Sequence, residues 1–284
     1  LRPEGIFYRR VAFEELFMMA LALHLRRAEW RSEKMGADIR VPKMKLNVES
    51  MAAKIKGLPF SLTGDQRRVL NEIAEDLSLL HDPVPMHRLV QGDVGSGKTI
   101  VAFLAALVAI ESGYQVALMA PTEILADQHF ENFKKLFPEK FLQVGILKGA
   151  LTAKEKKLAR EKIQAGEWSL VIGTQALLSE NTIFNNLGLV IVDEQHRFGV
   201  EQRLKISDLK LRPHLLVMTA TPIPRSLALT LYGDLNLSII REKPAGRIPI
   251  STHLVREKAR PKLQERLKKF IEEGRQLYIV YPLV

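Results

Sequence analysis

The sequence predicts an α/β fold in which a central parallel sheet is covered by helices on both faces. Short apolar segments alternate with longer segments of helical periodicity over most of the chain, which is typical of parallel sheets. Two of these segments, 189–192 and 215–218, are apolar at every position, as expected of central strands. A glycine-rich turn at 92–99 lies between a predicted strand and a predicted helix, where α/β folds bind anions.

The elements follow in chain order. Residues 9–34 are predicted to form one long helix, and residues 35–60, with glycines and prolines, a linker with one short helix. The predicted strands of the sheet are 87–91, 116–120, 143–147, 169–173, 189–193 and 214–219. The predicted helices beside them are 63–80, 99–112, 123–136, 152–165, 198–208 and 224–232.

The last part of the chain is expected to belong to another lobe. After Tyr232 the pattern loosens and predicts a linker, and then a helix at 259–273 precedes a strand at 276–281. We therefore predict three regions: a helical connector at 1–60, a first lobe at 61–245 and the start of a second lobe at 246–284. Because Leu1 is not a methionine and the chain stops at a strand, we expect a piece of a longer protein.

The charge balance favours a polyanionic partner. Lys and Arg number 42 against 32 Asp and Glu, which gives a net charge of +10, and the sequence pI is about 9.7. On charge alone, a nucleic acid and an anionic membrane surface both remain open. The chain has no cysteine, which excludes disulfides and thiolate metal sites. No apolar run approaches the ~18 residues of a membrane span, so none is expected.

The turn at 92–99 matches the phosphate-binding pattern G-x-x-x-x-G-K-[ST]. It consists of Gly92, Asp93, Val94, Gly95, Ser96, Gly97, Lys98 and Thr99. Its backbone N–H groups and the start of the following helix would face an anion. Lys98 would contact the β- and γ-phosphates, and Thr99 would offer its hydroxyl to Mg²⁺. The alternative is a turn that merely joins two elements.

Asp193 and Glu194 follow a predicted central strand. Asp193 would hold Mg²⁺ through water, and Glu194 would orient and deprotonate an attacking water. Taken alone, such an acidic pair is more often a solvated loop. Its position downstream of the phosphate-binding turn favours nucleotide hydrolysis.

These motifs resemble those of the superfamily 2 helicases. The run Asp193-Glu194-Gln195-His196 resembles motif II, and Thr219-Ala220-Thr221 resembles motif III. Three further segments resemble the glutamine motif, motif Ia and motif Ib, at 62–66, 120–129 and 173–178.

Within that superfamily the chain resembles the RecG family, the bacterial branched-DNA helicases. The segments that carry this resemblance are 92–99, 193–203 and 221–227. Mfd, the transcription-repair coupling factor, is similar but departs at Ser96 and Gln195. The resemblance implies a RecA-like lobe, ATP and Mg²⁺ as cofactors, DNA as partner, and a monomeric motor in the bacterial cytoplasm. It also implies a wedge domain before Leu1, and motifs V and VI with an arginine finger after Val284.

The resemblance also assigns roles to single residues. The residues implied in catalysis are Lys98, Asp193, Glu194 and His196. Those implied in DNA contact are Pro121, Thr122, Gln128, Thr174 and Gln175. Gln66 would read adenine or close a helix capping box, and both threonines of motifs Ia and Ib would bind phosphate or cap helices. His196, Thr219 and Thr221 would couple the nucleotide to the rest of the motor, unless the two threonines are only strand-end residues.

Two alternatives to a RecG-like helicase remain. One is an Mfd-like translocase on double-stranded DNA. The other is a nucleotide- and DNA-binding module without turnover. Arg197 and Arg225 fit DNA contacts and structural ion pairs equally well, and the basic helix at 152–165 fits a solvated face.

Overall fold

The computed structural model describes residues 5–34, 41–78, 84–138, 143–179, 181–193, 212–221, 235–244 and 251–280. The chain forms two compact units, Leu1–Pro244 and Ala245–Val284. The helices of the first unit are α1 (Ile6–Lys34), α2 (Val48–Lys56), α3 (Gly64–Leu77), α4 (Lys98–Glu111), α5 (Glu123–Leu136) and α6 (Ala153–Gln164). Its strands are β1 (His87–Gly92), β2 (Gln115–Met119), β3 (Val144–Leu147), β4 (Leu170–Gly173), β5 (Leu187–Asp193), β6 (His214–Thr219) and β7 (Asn236–Ile240).

The strands form one parallel sheet in the order β3-β4-β2-β5-β6-β1-β7. The predicted α/β class with a central parallel sheet is therefore confirmed. The two fully apolar segments lie in β5 and β6, which occupy the middle of the sheet and are buried. Parallel strands buried on both faces require this composition, because neither face meets water.

Successive strand residues point into two separate cores. In β2, Val116 and Leu118 pack with α3, α4 and α5 on one face, while Ala117 and Met119 pack with α6 on the other. Helix α4 is buried from Ile100 to Ala109, because it is apolar around its whole circumference. These two cores fix the carboxyl ends of the strands at one edge of the sheet.

His214 fastens the linker that precedes α2 to the start of the sheet. Its Nδ1 accepts a hydrogen bond from the Met86 N–H at 2.8 Å, and its Nε2–H donates to the Pro42 carbonyl at 2.6 Å. Burial lowers the pKa of His214 to about 4, so the ring is neutral at pH 7 and fits this donor–acceptor pattern.

Two predictions about strands were wrong. The region after Tyr232, predicted as a linker, contains β7, which pairs with β1 at the edge of the sheet. Its residues alternate in burial and include a serine, so its pattern is weaker than that of a central strand. Conversely, residues 276–280 form no strand, and Tyr278, Ile279 and Val280 are exposed. In the described part of the second unit they have no strand to pair with, and a strand needs such a partner.

The other predicted elements that fall within the described residues agree closely with the structure. The short helix expected within 35–60 is α2, and the helix expected at 259–273 is α7 (Arg260–Glu272) of the second unit. The predicted helices at 198–208 and 224–232 lie outside the described residues. Among the described helices, none combines the length and the apolar character needed to cross a membrane.

Candidate active site

The phosphate-binding turn lies between the end of β1 and the start of α4. Gly95 and Gly97 have φ angles of 74° and 83°, a left-handed conformation that favours glycine. Gly97 is also the residue before the first turn of α4, where the backbone N–H groups and the positive end of the helix dipole are directed outward. The turn therefore has the geometry of an anion site.

Two glycines of the turn are packed too tightly for any side chain. A Cβ atom at Gly92 would lie 2.5 Å from the Ser96 Oγ and 3.1 Å from the Ile240 carbonyl oxygen. A Cβ atom at Gly97 would lie 2.2 Å from the Gln66 Nε2. The loop is thus supported from the protein side, while Asp93, Val94 and Gly95 are exposed on the other side.

Lys98 folds back over the turn that it follows. Its Nζ donates to the carbonyl oxygens of Gly92 at 2.8 Å and Asp93 at 3.1 Å. Thr99 follows in the first turn of α4 and is partly buried. The buried Oγ of Ser96 has no hydrogen-bond partner among the residues that the structure describes. A supported loop with a positive-φ glycine, a lysine and an unpaired buried hydroxyl fits a bound polyphosphate.

Gln66 connects helix α3 to the phosphate-binding turn. It closes a capping box with Thr63, whose N–H donates to the Gln66 Oε1 at 2.9 Å. Its Nε2 donates to the Ser96 carbonyl oxygen at 2.7 Å. The structure therefore confirms the capping role of Gln66. A contact with adenine remains a prediction, and it is chemically open because the amide retains one N–H and one lone pair.

Asp193 ends β5 at the carboxyl edge, opposite Met218 of β6. Its Oδ2 lies 2.8 Å from the Nε2 of His129 on α5, and both side chains are largely buried. His129 lies at the end of the segment that resembles motif Ia, and no role is predicted for it from the sequence. It shares one helix face with the buried Ala126 and Phe133, and a histidine on a buried stripe indicates a polar contact inside. Glu194 and His196 lie outside the described residues.

The segments predicted to contact DNA follow β2 and β4, which are neighbours in the sheet. Pro121 and Thr122 are partly exposed, Gln128 is exposed on α5, and the Thr122 hydroxyl accepts from the Leu125 N–H at 3.3 Å. Helix capping is therefore one function of Thr122. Thr174 precedes a 3₁₀ turn, Gln175–Leu178, where Gln175 is exposed; in the part of the chain that the structure describes, the Thr174 side chain makes no capping bond.

Thr219 and Thr221 contact each other at the end of β6. Their hydroxyl oxygens lie 2.8 Å apart, and the Thr221 N–H donates to the Thr219 Oγ1 at 3.2 Å. This is the local arrangement expected of strand-end threonines, and the coupling role remains a prediction. Because β6 lies between β5 and β1, the pair stands between Asp193 and the phosphate-binding turn.

The segment that follows β7 is hydrogen-bonded to the start of α3, the helix that carries Gln66. The Asp65 Oδ2 accepts from the N–H groups of Arg241 at 2.8 Å and Glu242 at 3.1 Å, and the Glu242 Oε2 accepts from the Asp65 N–H at 3.2 Å. Hydrogen bonds from the side chain of Arg68 and from those two N–H groups lower the pKa of Asp65 to about 2. Asp93 of the turn also pairs with Lys243 at 3.0 Å.

Comparison with known proteins places these features in a family. The DEAD/DEAH box helicase family model matches residues 63–230. The chain is 44% identical to the ATP-dependent DNA helicase RecG of Aquifex aeolicus over 98% of its own length and 34% of that protein. It is 46% identical to RecG of Synechocystis over 97% of its length and 32% of that protein. The chain therefore spans about a third of the length of these relatives.

Solved structures agree with this grouping. A structure of RecG bound to a three-way DNA junction matches with a TM-score of 0.81 and 41% identity, over 97% of this chain and 36% of that chain. The helicase MrfA bound to DNA matches at 18% identity with a TM-score of 0.58, over 86% of this chain and 40% of that one, which shows the fold alone. The predicted RecA-like fold and the predicted resemblance to RecG are thus confirmed. Because its family model covers more than half of the 284 residues, the chain belongs to the DEAD/DEAH box helicases.

Proposed function

We propose that this chain is the nucleotide-binding part of an ATP-dependent DNA helicase that acts on branched DNA, such as replication forks and Holliday junctions, in recombination and repair. One observation carries the proposal. A supported phosphate loop and a largely buried aspartate lie at the carboxyl edge of one parallel sheet, in a chain 44% and 46% identical to two RecG helicases.

The proposed domains keep the boundaries expected from the sequence: a connector at 1–60, a first RecA-like lobe at 61–245 and the start of a second lobe at 246–284. The division of the chain after Pro244 supports the last boundary. The family resemblance also leads us to propose a monomeric motor in the bacterial cytoplasm, and the two relatives named above come from Aquifex aeolicus and Synechocystis.

The phosphate loop would bind ATP through its backbone N–H groups. Lys98 would exchange its contacts with the two loop carbonyls for the β- and γ-phosphates, since an ammonium group binds phosphate as a point charge. The Ser96 hydroxyl, which the loop buries, would gain a partner. Gln66 would present its remaining N–H and lone pair to adenine while keeping its contact with the loop.

Thr99 and Asp193 would hold Mg²⁺, because a hydroxyl and a carboxylate at one sheet edge are the oxygen ligands that this ion takes. When bound, Mg²⁺ would neutralise charge on the phosphate oxygens. Glu194 would orient the attacking water and accept its proton, and His196 would connect the site to Thr219 and Thr221. The roles of Glu194 and His196 rest on the family resemblance alone.

DNA would lie along the other half of the same edge. Pro121, Thr122, Gln128, Thr174 and Gln175 follow two neighbouring strands and are at least partly exposed there. Hydroxyl and amide groups of this kind bind the DNA backbone and fix its position without reading sequence. The net charge of +10 supports such a partner.

The test is ATP hydrolysis by the family-length protein, which is a protein that contains this chain and has the length of the RecG relatives. Hydrolysis is measured with a three-way junction, a plain duplex and a single strand of equal total length. Junction DNA is expected to stimulate most. Lys98→Ala is expected to lose nucleotide binding, whereas Glu194→Gln is expected to keep binding and lose turnover, because it removes the base but retains the shape. Lys157→Ala, which removes an exposed lysine from α6, is the matched control.

Three results would contradict the proposal. Stimulation by duplex equal to that by the junction would indicate an Mfd-like translocase. Binding of nucleotide and DNA without any turnover would indicate a binding module. Wild-type hydrolysis in Lys98→Ala would remove the phosphate loop from the mechanism.

A further inference from the structure

His129 lies where three elements of the site meet. It is on α5, its Nε2 is 2.8 Å from the Asp193 Oδ2 at the end of β5, and its ring packs edge-on against Phe103 of α4 at a centroid distance of 6.1 Å. The side chains of His129 and Asp193 are 7% and 14% exposed, so little water competes for their contact. The pair joins two helices and a strand at the point where the metal is proposed to bind.

Phe103 connects this contact to the helix that carries the other proposed metal ligand. It follows Thr99 by four residues on α4, and residues four apart lie on the same helix face. His129 therefore packs against the face that carries Thr99, and it also contacts Asp193 directly. A single imidazole thus contacts one proposed ligand, Asp193, and packs against the helix that carries the other, Thr99.

The contact restricts what the Asp193 carboxylate can do. A carboxylate on a short side chain rotates about one terminal bond, and a hydrogen bond to one oxygen selects the orientation of the other. With its Oδ2 accepting from the His129 Nε2–H, Asp193 retains Oδ1 for the metal or for a water bound to it.

We propose that His129 is a positioning residue that orients the Asp193 carboxylate for Mg²⁺ and ties α5 and α4 to that carboxylate. This proposal rests on the proposed function, since it assumes a magnesium–nucleotide site at this edge. Hydrogen-bonded partners of metal ligands contribute about 10–100-fold to metal affinity, so the effect is expected to be large.

A purely structural role for His129 makes a different prediction. If the imidazole only fills space beside Phe103, any side chain of similar size replaces it, and the Mg²⁺ response of the site does not change. If it orients Asp193, a replacement needs a hydrogen-bond donor at the position of Nε2. The terminal amide of glutamine supplies such a donor, and phenylalanine and methionine do not.

The experiment compares four variants of the family-length protein by the binding of a fluorescent ATP analogue that is not hydrolysed. His129→Phe retains an aromatic ring beside Phe103 and removes the donor, His129→Met removes it in a flexible side chain, and His129→Gln restores it. Phe133→Leu is the matched control, because Phe133 is buried one turn further on α5 and packs edge-on against Phe103 at a centroid distance of 5.1 Å. Affinity is measured in EDTA and over a titration of Mg²⁺.

His129→Phe and His129→Met are expected to bind the analogue in EDTA as the wild type does, and to need at least about tenfold more Mg²⁺ for half of the metal-dependent gain in affinity. His129→Gln is expected to recover most of that loss, and Phe133→Leu to titrate like the wild type. If His129→Phe does not fold, the comparison of His129→Met with His129→Gln gives the same answer.

The proposal is overturned if the donor-free variants titrate with Mg²⁺ like the wild type, if Phe133→Leu shifts the titration equally, or if His129→Gln gives no recovery. Tighter Mg²⁺ binding without the histidine would overturn it too, because His129 would then compete with the metal. These outcomes differ from failure of the proposed function, in which the wild type itself shows no binding of the analogue and no response to Mg²⁺.

Discussion

Gly92 shows how closely the phosphate loop depends on single atoms. A Cβ at this position would meet the Ser96 Oγ at 2.5 Å and the Ile240 carbonyl at 3.1 Å, so even alanine requires the Ser96 hydroxyl to move away and β7 to shift by a few tenths of an ångström. The loop must keep its backbone N–H groups convergent to bind phosphate. A displacement of a few tenths of an ångström at Gly92 is therefore transmitted to the site itself.

We predict that Gly92→Ala weakens ATP binding by at least about tenfold, because interiors packed at this density do not absorb an added methyl group without backbone movement. The measurement is the affinity for the fluorescent analogue. Gly57→Ala is the control, since a Cβ at Gly57 would meet its nearest neighbour at an ordinary 3.5 Å. Equal affinities for the two variants would show that the loop tolerates the shift.

At the scale of residues, sequence reasoning located the motif positions better than their contacts. It identified Gln66 and Thr122, and the structure shows both closing helix caps, an alternative that spacing alone kept open. It missed His129 as a partner of Asp193. That contact joins residues 64 positions apart, and only the packing of α5 onto the sheet brings them together.

At the scale of elements, hydrogen bonds join the start of α3 to the end of β7 and to the segment that follows it. We call this set of contacts the clasp. Asp65 accepts from two N–H groups of that segment, and Glu242 accepts from the Asp65 N–H. The Arg68 Nη2 adds hydrogen bonds to the Asp65 carboxylate at 2.8 Å and to the Ile239 carbonyl at 2.7 Å. This clasp holds the edge strand β7 to a helix whose Gln66 contacts the phosphate loop.

The clasp predicts a defined pH dependence of stability. The pKa of Asp65 is about 2 in the folded chain against an ordinary 3.8, so the folded state favours the carboxylate. Its contribution is complete above about pH 4 and is lost as the pH falls towards 2. Asp65→Asn is expected to lower the free energy of unfolding at pH 7, with a difference from wild type that shrinks across this window in urea denaturation.

Glu161→Gln is the control for this series, because its pair with Lys157 is exposed, with a separation of 4.0 Å, and contributes little. A difference between Asp65→Asn and wild type that stayed constant from neutral to acid pH would show that the ionised carboxylate is not what stabilises the clasp.

Sequence patterns at this scale succeed where burial is complete and fail where it is partial. The strands β2, β5 and β6 are apolar almost throughout and were predicted nearly to the residue. The edge strand β7 has one side covered only in part, so its composition resembles a loop. Residues 276–280 show the reverse case, in which a strand is predicted but is not formed. Their composition suits a strand, but a strand also needs a neighbouring strand to pair with, and composition does not reveal whether one is present.

At the scale of the whole molecule, the chain spans about a third of its RecG relatives, and this bears on turnover. The family resemblance implies an arginine finger after Val284, and we propose that this position is correct. We predict that the 284-residue chain binds the ATP analogue but hydrolyses ATP slower than the family-length protein, by the ~10³–10⁵ that such a finger contributes. Equal turnover with saturating DNA would show that the finger lies within these residues or is not needed.

The strand order has a consequence for how two ligands share this molecule. The proposed DNA segments follow β4 and β2, the phosphate loop follows β1, and β5 and β6 lie between them. With neighbouring strands about 4.8 Å apart, β2 and β1 are separated by three spacings, roughly 14 Å. The proposed sites for ATP and DNA thus do not overlap, and we expect both ligands to bind at the same time. Among the residues that the structure describes, the ends of β5 and β6, at Asp193 and Thr219, lie between the two proposed sites, so a variant altered at both residues is expected to bind ATP and DNA with less coupling between them.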